Sequence, residues 1–269
     1  MAGPRRQGGY SRGMAANLFH REFGGEGHPP LVVLHGMLGS SRNWQAAGRD
    51  LAARYHVFAP DFRNHGASSH ADEMTYAAMV DDLLAWMDSH ALGKVALMGH
   101  SMGGKVAMVL ACRHPERVQR LVLVDIAPKD YFWPARRREF AAMNALDLGN
   151  LRLRTQAERS FEKDVPDPGM RRFLATNLER TEGGGWKWAI NLPVLTAALP
   201  FLEKNPLQPG DRYCGPTLVI SGARSAYVKP EDGAVIASHF PDLRLVVIES
   251  AGHNPHAEAR EEFVRAVIA

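Results

Sequence analysis

Six short runs, apolar almost from end to end, recur along the chain at 31–34, 56–59, 95–98, 121–124, 217–220 and 243–248, with helix-like stretches between them. A strand that is apolar on both sides has to be covered on both sides. Parallel pairing with crossover helices on each face is the arrangement that does this. The helical stretches carry their own signal. Over residues 76–87 the apolar positions 76, 80, 83, 84 and 87 share one helix face. Ser40 and Ser41 are N-cap residues for a helix over 42–54. Residues 15–23 are expected to add an antiparallel edge strand that turns at Gly24 and Gly25.

The alternation stops between about 130 and 207. That segment is rich in Arg and Glu, holds Trp133, Trp186 and Trp188, and is cut by Pro166, Pro168, the glycine run 183–185, Pro193, Pro200 and Pro206. The expectation is a helical cap at 130–207 inserted into a core made of 15–129 and 208–269. Within it, the run Arg136-Arg137-Arg138 is expected to be a solvated helix face. A chain of 269 residues is long enough for one such core with an insertion.

Residues 1–14 carry Arg5, Arg6 and Arg12, no acid and no apolar stretch of a secretory signal, and are expected to be a flexible tail. A net charge of +3, with arginines scattered rather than interleaved with aromatics, argues against nucleic acid as a partner. No apolar run approaches the length of a membrane span. Cys112 and Cys214 have no metal-ligand spacing and are compatible with a reducing compartment, so a cytoplasmic setting is expected.

The sharpest chemical signal is Gly99-His100-Ser101-Met102-Gly103, directly after the run at 95–98 and directly before a helical stretch. Flanking glycines leave room for a strained strand-to-helix turn that lifts a serine hydroxyl clear of the sheet. The following helix then aims its free N–H groups at developing negative charge. Ser101 is therefore the expected nucleophile. A serine needs a base, and His253 follows the last strand-like run, late in the chain, as the Ser-before-His order requires. His35, His65 and His100 read as turn residues. His256 is three positions from His253, but Pro255 lies between them and no third ligand is near, so no metal or other cofactor is expected. The loop Gly36-Met37-Leu38-Gly39-Ser40 has no Gly-Lys-Ser/Thr ending and is not a phosphate loop. Its Met37 N–H, with the Met102 N–H, is the expected oxyanion hole.

These motifs, together with Asp61-Phe62-Arg63-Asn64-His65-Gly66-Ala67-Ser68, Gly104-Lys105 and Gly252-His253, resemble those of α/β-hydrolase fold enzymes over about residues 15–268. More narrowly, Arg63-Asn64-His65-Gly66, Val124-Asp125-Ile126-Ala127-Pro128 and Trp188-Ala189-Ile190-Asn191-Leu192 are similar to the small carboxylesterases of the α/β-hydrolase-domain-eleven type and their bacterial esterase relatives. The resemblance implies a mainly parallel eight-stranded sheet flanked by helices, with an inserted helical cap.

One departure matters. Most of the superfamily carries its acid in a Gly-x-x-Asp turn, and here the turn reads Gly222-Ala223-Arg224-Ser225. Asp125, at the end of the run 121–124, is the expected acid, and the resembling subgroup carries its acid at this position. Glu231 and Asp232 are alternatives, although the start of a helix gives acids a capping reason to be there. Asp61 is expected to support the Arg63 turn. The implied function is a serine carboxylesterase for small-molecule esters of short to medium acyl length. Phe132, Trp133, Trp186, Trp188, Leu192, Leu195 and Phe201 are expected to line the acyl pocket. Two alternatives stand beside it: another hydrolase on the same residues (thioesterase, amidase or carbon–carbon bond hydrolase), or a non-catalytic binding member of the fold.

Overall fold

A computed structural model describes residues 15–269. Its sheet runs in the order β1-β3-β2-β4-β5-β8-β9, with β1 antiparallel and every other pairing parallel. The strands are β1 His20–Glu22, β2 Pro30–Leu34, β3 His56–Pro60, β4 Val95–His100, β5 Val118–Val124, β8 Thr217–Gly222 and β9 Leu243–Ile248. All six residues of β4 are buried because both its faces are covered. Val95 and Leu97 point into one apolar cluster, with helices α2 (Tyr76–Ser89) and α3 (Met102–Arg113). Ala96 and Met98 point into the other, with α1 (Gln45–Leu51) and the C-terminal helix Arg260–Ile268. The two-residue period of a strand divides one continuous apolar run between two cores.

Three expectations change. The sheet has seven strands among the described residues, not eight. Residues 16–19 do not extend it. Phe19 C=O still accepts Asp61 N–H at 2.8 Å, but Phe19 N–H turns to Ser68 Oγ at 2.9 Å, whose hydroxyl occupies Asp61 C=O, while Ala16 N–H goes to Asp82 Oδ1 at 2.7 Å and Asn17 C=O accepts Ser69 N–H at 3.0 Å. The helix expected over 42–54 is split into a 3-10 turn, Ser41–Trp44, and the shorter α1, with Ser40 N–H bonded to Asn43 Oδ1 at 2.7 Å. The tail expected at 1–14 lies outside the described residues.

Between β5 and β8 the chain forms α4 (Pro134–Asn144), α5 (Arg154–Ser160), α6 (Pro168–Ala175), the hairpin β6 (Leu178–Arg180) and β7 (Trp186–Trp188), and α7 (Leu192–Leu202). The hairpin was not expected in a helical segment. Trp-Lys-Trp alternates with period two next to a glycine turn, which is strand chemistry. The arginine run is also not a uniformly solvated face. Arg136 and Arg137 are partly buried and ion-paired, Arg136 Nη1 to Glu139 Oε2 at 2.6 Å and Arg137 to Glu203, and only Arg138 is exposed.

Lys105, fully buried on α3, ties this segment to the core. Its ammonium reaches the carbonyls of Leu202, Glu203 and Lys204 at 3.4, 3.1 and 2.5 Å. A cation there meets the negative end of the α7 dipole, although burial pulls its pKa down to about 7. No helix among the described residues is long and apolar enough to cross a membrane.

Candidate active site

Ser101 sits at the C-terminal end of β4 with φ 52° and ψ −118°, in the strained region that a serine adopts only when its surroundings enforce it. The flanking glycines are required by contact. A Cβ on Gly99 would stand 2.3 Å from Gly103 O, and one on Gly103 would stand 2.5 Å from His35 O. Ser101 and His253 line one cavity of ≈ 370 Å³, together with Met37, Trp44, Phe173 and Arg136.

His253 follows β9 and its Nδ1 is 2.7 Å from Asp125 Oδ2. Asp125 directly follows β5, fully buried, at φ 50°. Its carboxylate is filled by donors: Oδ2 accepts His253 Nδ1–H and the Ser225 hydroxyl, and Oδ1 accepts Gly222 N–H at 3.3 Å. Ser225 Oγ in turn accepts Tyr227 N–H at 3.1 Å, which leaves its proton for Asp125. The Tyr227 ring stacks on the His253 imidazole, 3.6 Å between centroids and 16° from parallel. The other acids are engaged elsewhere. Asp232 Oδ2 takes Lys129 Nζ and Lys229 N–H, Glu231 lies 3.9 Å from Lys229 Nζ, and Asp61 accepts Ser41 N–H and Ala67 N–H.

The loop after β2 is held by two histidines. Phe62 N–H donates to His35 Nε2 at 3.0 Å, which leaves the proton on Nδ1, bonded to Gly36 C=O at 2.8 Å. Gly39 N–H binds the same carbonyl at 3.0 Å. A trans peptide points its C=O and N–H in opposite directions, so fixing the Gly36 carbonyl aims the Met37 N–H the other way. Likewise Leu38 N–H donates to His65 Nε2 at 3.3 Å, while His65 Nδ1–H donates to Arg63 C=O at 3.0 Å. Met102, buried at the first position of α3, has one of the N–H groups that find no partner within a helix.

His100, adjacent to the serine, donates Nε2–H to His253 C=O at 2.8 Å, across 153 positions of sequence. His256 packs its ring on Trp44 and on His100, 4.4 and 4.8 Å between centroids. Burial pushes the pKa of His35, His65, His100 and His256 down, to about 3 for His65 and His256, and keeps these four imidazoles neutral. The turn roles expected for His35 and His65 match these contacts, whereas His100 reaches beyond its turn to position His253.

The seven residues expected to line an acyl pocket are not on the walls of the Ser101 cavity. Leu192 and Leu195 are on the buried face of α7 and belong to the core, Trp133 and Trp188 are partly buried against that core, and Trp186 lies beneath Arg180, 4.0 Å from ring to guanidinium. Phe201 is half exposed and faces Tyr76, and Phe132 is 72 % exposed. The cavity's apolar wall is Met37, Trp44, Met170 and Phe173 instead. Sequence reasoning missed Ser225 as a donor, Tyr227 as a stacking partner, His100 as a support and Arg136 as a cavity residue. Only Arg136 left a sequence signal, the acid Glu139 three positions on. For metal ligands, Glu22, Glu26 and His56 bring donor atoms within 4.8 Å of one another at the sheet edge, and none of them lines the cavity.

The pattern of a family described as alpha/beta hydrolase fold matches residues 29–259. The chain is 36% identical over 246 residues to the sn-1-specific diacylglycerol lipase ABHD11 of Mus musculus, covering 89% of this chain and 80% of that one. It is 34% identical over 241 residues to the esterase YbfF of Escherichia coli K12, covering 88% and 91%. A solved marine microorganism esterase superposes with a TM-score of 0.91 at 33% identity, covering 94% of this chain and 98% of its own.

Proposed function

The chain belongs to the alpha/beta hydrolase fold family and is a carboxylic ester hydrolase, and from that premise we propose a serine mechanism acting on esters of short- to medium-chain acids. Ser101 Oγ attacks the ester carbonyl while His253 Nε2 takes its proton. The tetrahedral oxyanion is held by the Met37 and Met102 N–H groups. The alcohol departs with the proton from His253. Water, deprotonated by His253 in turn, then releases the acid from Ser101. Asp125 keeps the His253 proton on Nδ1 and stabilises the imidazolium, and Ser225 and Gly222 keep Asp125 in position.

The observation that carries this reading is the 2.7 Å contact of His253 Nδ1 with a fully buried carboxylate, at a cavity that Ser101 also lines. Residues 130–207 act as the cap, supplying Met170, Phe173 and Arg136 to that cavity. A cavity of ≈ 370 Å³ with an apolar wall suits a short or medium acyl chain better than a long one. The reading includes a cytoplasmic setting, in keeping with the free thiols of Cys112 and Cys214.

Initial rates on p-nitrophenyl esters from acetate to dodecanoate, for wild type and Ser101→Ala, test the proposal. Wild-type turnover should peak at short or medium chains, and the variant should lose a factor on the order of 10⁶. Equal rates in the two proteins would overturn the serine mechanism, and a maximum at the longest chain would overturn the chain-length assignment. Labelling of Ser101 by a fluorophosphonate separates an enzyme from a binding protein.

A further inference from the structure

Beside the Ser101 cavity lies a second pocket of ≈ 320 Å³, and Gly39, Asn43 and Phe173 are walls of both. Its charged lining consists of three arginines, Arg21, Arg42 and Arg154, and two carboxylates, Asp61 and Glu179. The carboxylates have other partners. Asp61 is buried and accepts Ser41 N–H at 2.5 Å and Ala67 N–H at 2.9 Å, and Glu179 lies 3.9 Å from Lys187 Nζ. The arginines have no carboxylate partner: none of the three is within ion-pair distance of a carboxylate among the described residues, where Arg63, Arg117, Arg136, Arg137, Arg171, Arg224 and Arg260 all are.

Each of the three comes from a different segment. Arg21 is in the middle of β1, its Nε is shut off from solvent with no hydrogen-bond partner, and its guanidinium lies 5.5 Å over the Phe19 ring. Arg42 is exposed in the 3-10 turn that directly follows the oxyanion loop. Arg154 opens α5, held by Leu178 C=O at 2.8 Å and by the Trp186 ring 5.8 Å from its guanidinium. Three isolated guanidinium groups would simply be solvated. Three that line one pocket concentrate positive charge there, and the dry, unsatisfied Nε of Arg21 adds a desolvation cost that an anion bonded to it would offset. Guanidinium is also the group best matched to the planar fork of a carboxylate or to a phosphate.

We infer that this pocket is an anion subsite that receives a phosphate or carboxylate at the remote end of the ester substrate while the ester itself lies at Ser101. The anion makes hydrogen bonds to Arg21, Arg42 and Arg154, and the substrate passes between Gly39, Asn43 and Phe173. The substrate half of this inference rests on the esterase proposal, and the binding half does not.

Two matched pairs of esters test it: glycerol 3-phosphate monobutyrate against monobutyrin, and monoethyl succinate against ethyl butyrate. In at least one pair, kcat/KM of the anionic member should exceed that of the neutral one by about tenfold or more at low salt, and the advantage should shrink at about 0.5 M NaCl, where screening is short-ranged. In Arg42→Gln and Arg21→Gln the ratio should fall at least about fivefold, the loss of one charged hydrogen bond. A preference in the first pair assigns a phosphate and in the second a carboxylate. No preference in either pair, or a preference that survives both substitutions, would overturn the subsite.

A second arm needs no turnover. Calorimetric titration of Ser101→Ala with glycerol 3-phosphate and with succinate should show saturable binding that weakens at least about fivefold when Arg42→Gln is added. If no ester is hydrolysed, the esterase proposal falls and this titration still decides the subsite. Absence of binding, or binding indifferent to Arg42, overturns it. Arg42 is exposed, so the variant tests charge with little risk to folding.

Discussion

Asp125→Asn probes the network at the point where its geometry is most constrained. An asparagine has one acceptor end and one donor end, and it must choose between them. With its carbonyl in the place of Oδ2 it keeps the bonds from His253 Nδ1–H and the Ser225 hydroxyl, and turns its amide against Gly222 N–H. With the ends exchanged it keeps the bond from Gly222 N–H, and its amide donates to His253 Nδ1 and to Ser225 Oγ, which forces the His253 proton onto Nε2, where the ring cannot accept from Ser101. Three bonds against two, at about 1 kcal/mol each, favour the exchanged arrangement roughly fivefold. The tautomer is lost together with the charge. A carboxylate and an imidazolium about 4 Å apart attract by about 4 kcal/mol at an effective dielectric of about 20, and losing that attraction alone would lower kcat about 10³-fold. The wrong tautomer takes the loss to about 10⁴.

The assay is a double-mutant cycle of kcat on p-nitrophenyl butyrate with Asp125→Asn, Ser225→Ala and both. In the Ser225→Ala background the exchanged arrangement still holds two bonds against one, so Asp125→Asn should cost about 10⁴ with or without Ser225. A loss of only about 10³ in the single variant refutes the tautomer argument, and a loss below about tenfold refutes Asp125 as the acid.

Two further outcomes follow from buried charge. His65 and His256, held down to about 3, stay neutral in the folded chain, whereas the unfolded chain protonates them near 6.5. Between about pH 6 and 3 the unfolded state binds more protons, so stability falls with pH by about 1.4 kcal/mol per unit for each histidine. Urea midpoints should drop steadily from pH 7 to pH 5, and a flat profile would refute this. Arg63 is clamped by Asp82, Nε to Oδ2 at 2.6 Å and Nη2 to Oδ1 at 2.7 Å, with both side chains out of solvent. Asp82→Ala should cost about 3–5 kcal/mol in urea unfolding by stranding the guanidinium, while Arg63→Met with Asp82→Leu should recover most of it. A loss below about 1 kcal/mol in the single variant would show that water reaches Arg63.

What could be read in advance tracks how local each determinant is. The strands of the core were legible because apolar runs with no polar alternation have few places to go, and the serine turn because Gly99 and Gly103 leave a mark within two residues of Ser101. Asp125 needed the resemblance, since nothing within the Val124-Asp125-Ile126 stretch distinguishes an acid that serves a distant histidine from one that ends a strand. Ser225 was correctly read as carrying no charge, but its use as a donor depends on a residue 100 positions earlier. The aromatic residues of 130–207 illustrate the opposite error. Their size marks them as contact residues, but whether the contact is a ligand or the domain's own interior is decided by the fold of the segment. The period-two Trp186-Lys187-Trp188 already argued for a hairpin.

The separation of the site's parts along the chain also bears on biogenesis. The serine turn is translated long before β8 and β9, and His253 meets Asp125 across 128 positions and His100 across 153. Under the proposed mechanism, a nascent chain that has emerged only as far as β5 carries a nucleophile with no base, and its hydroxyl is inert until the last parallel strand docks. Acquisition of reactivity toward a fluorophosphonate is therefore a clock for completion of the sheet, set by the slowest long-range pairing and not by formation of the turn that bears the serine.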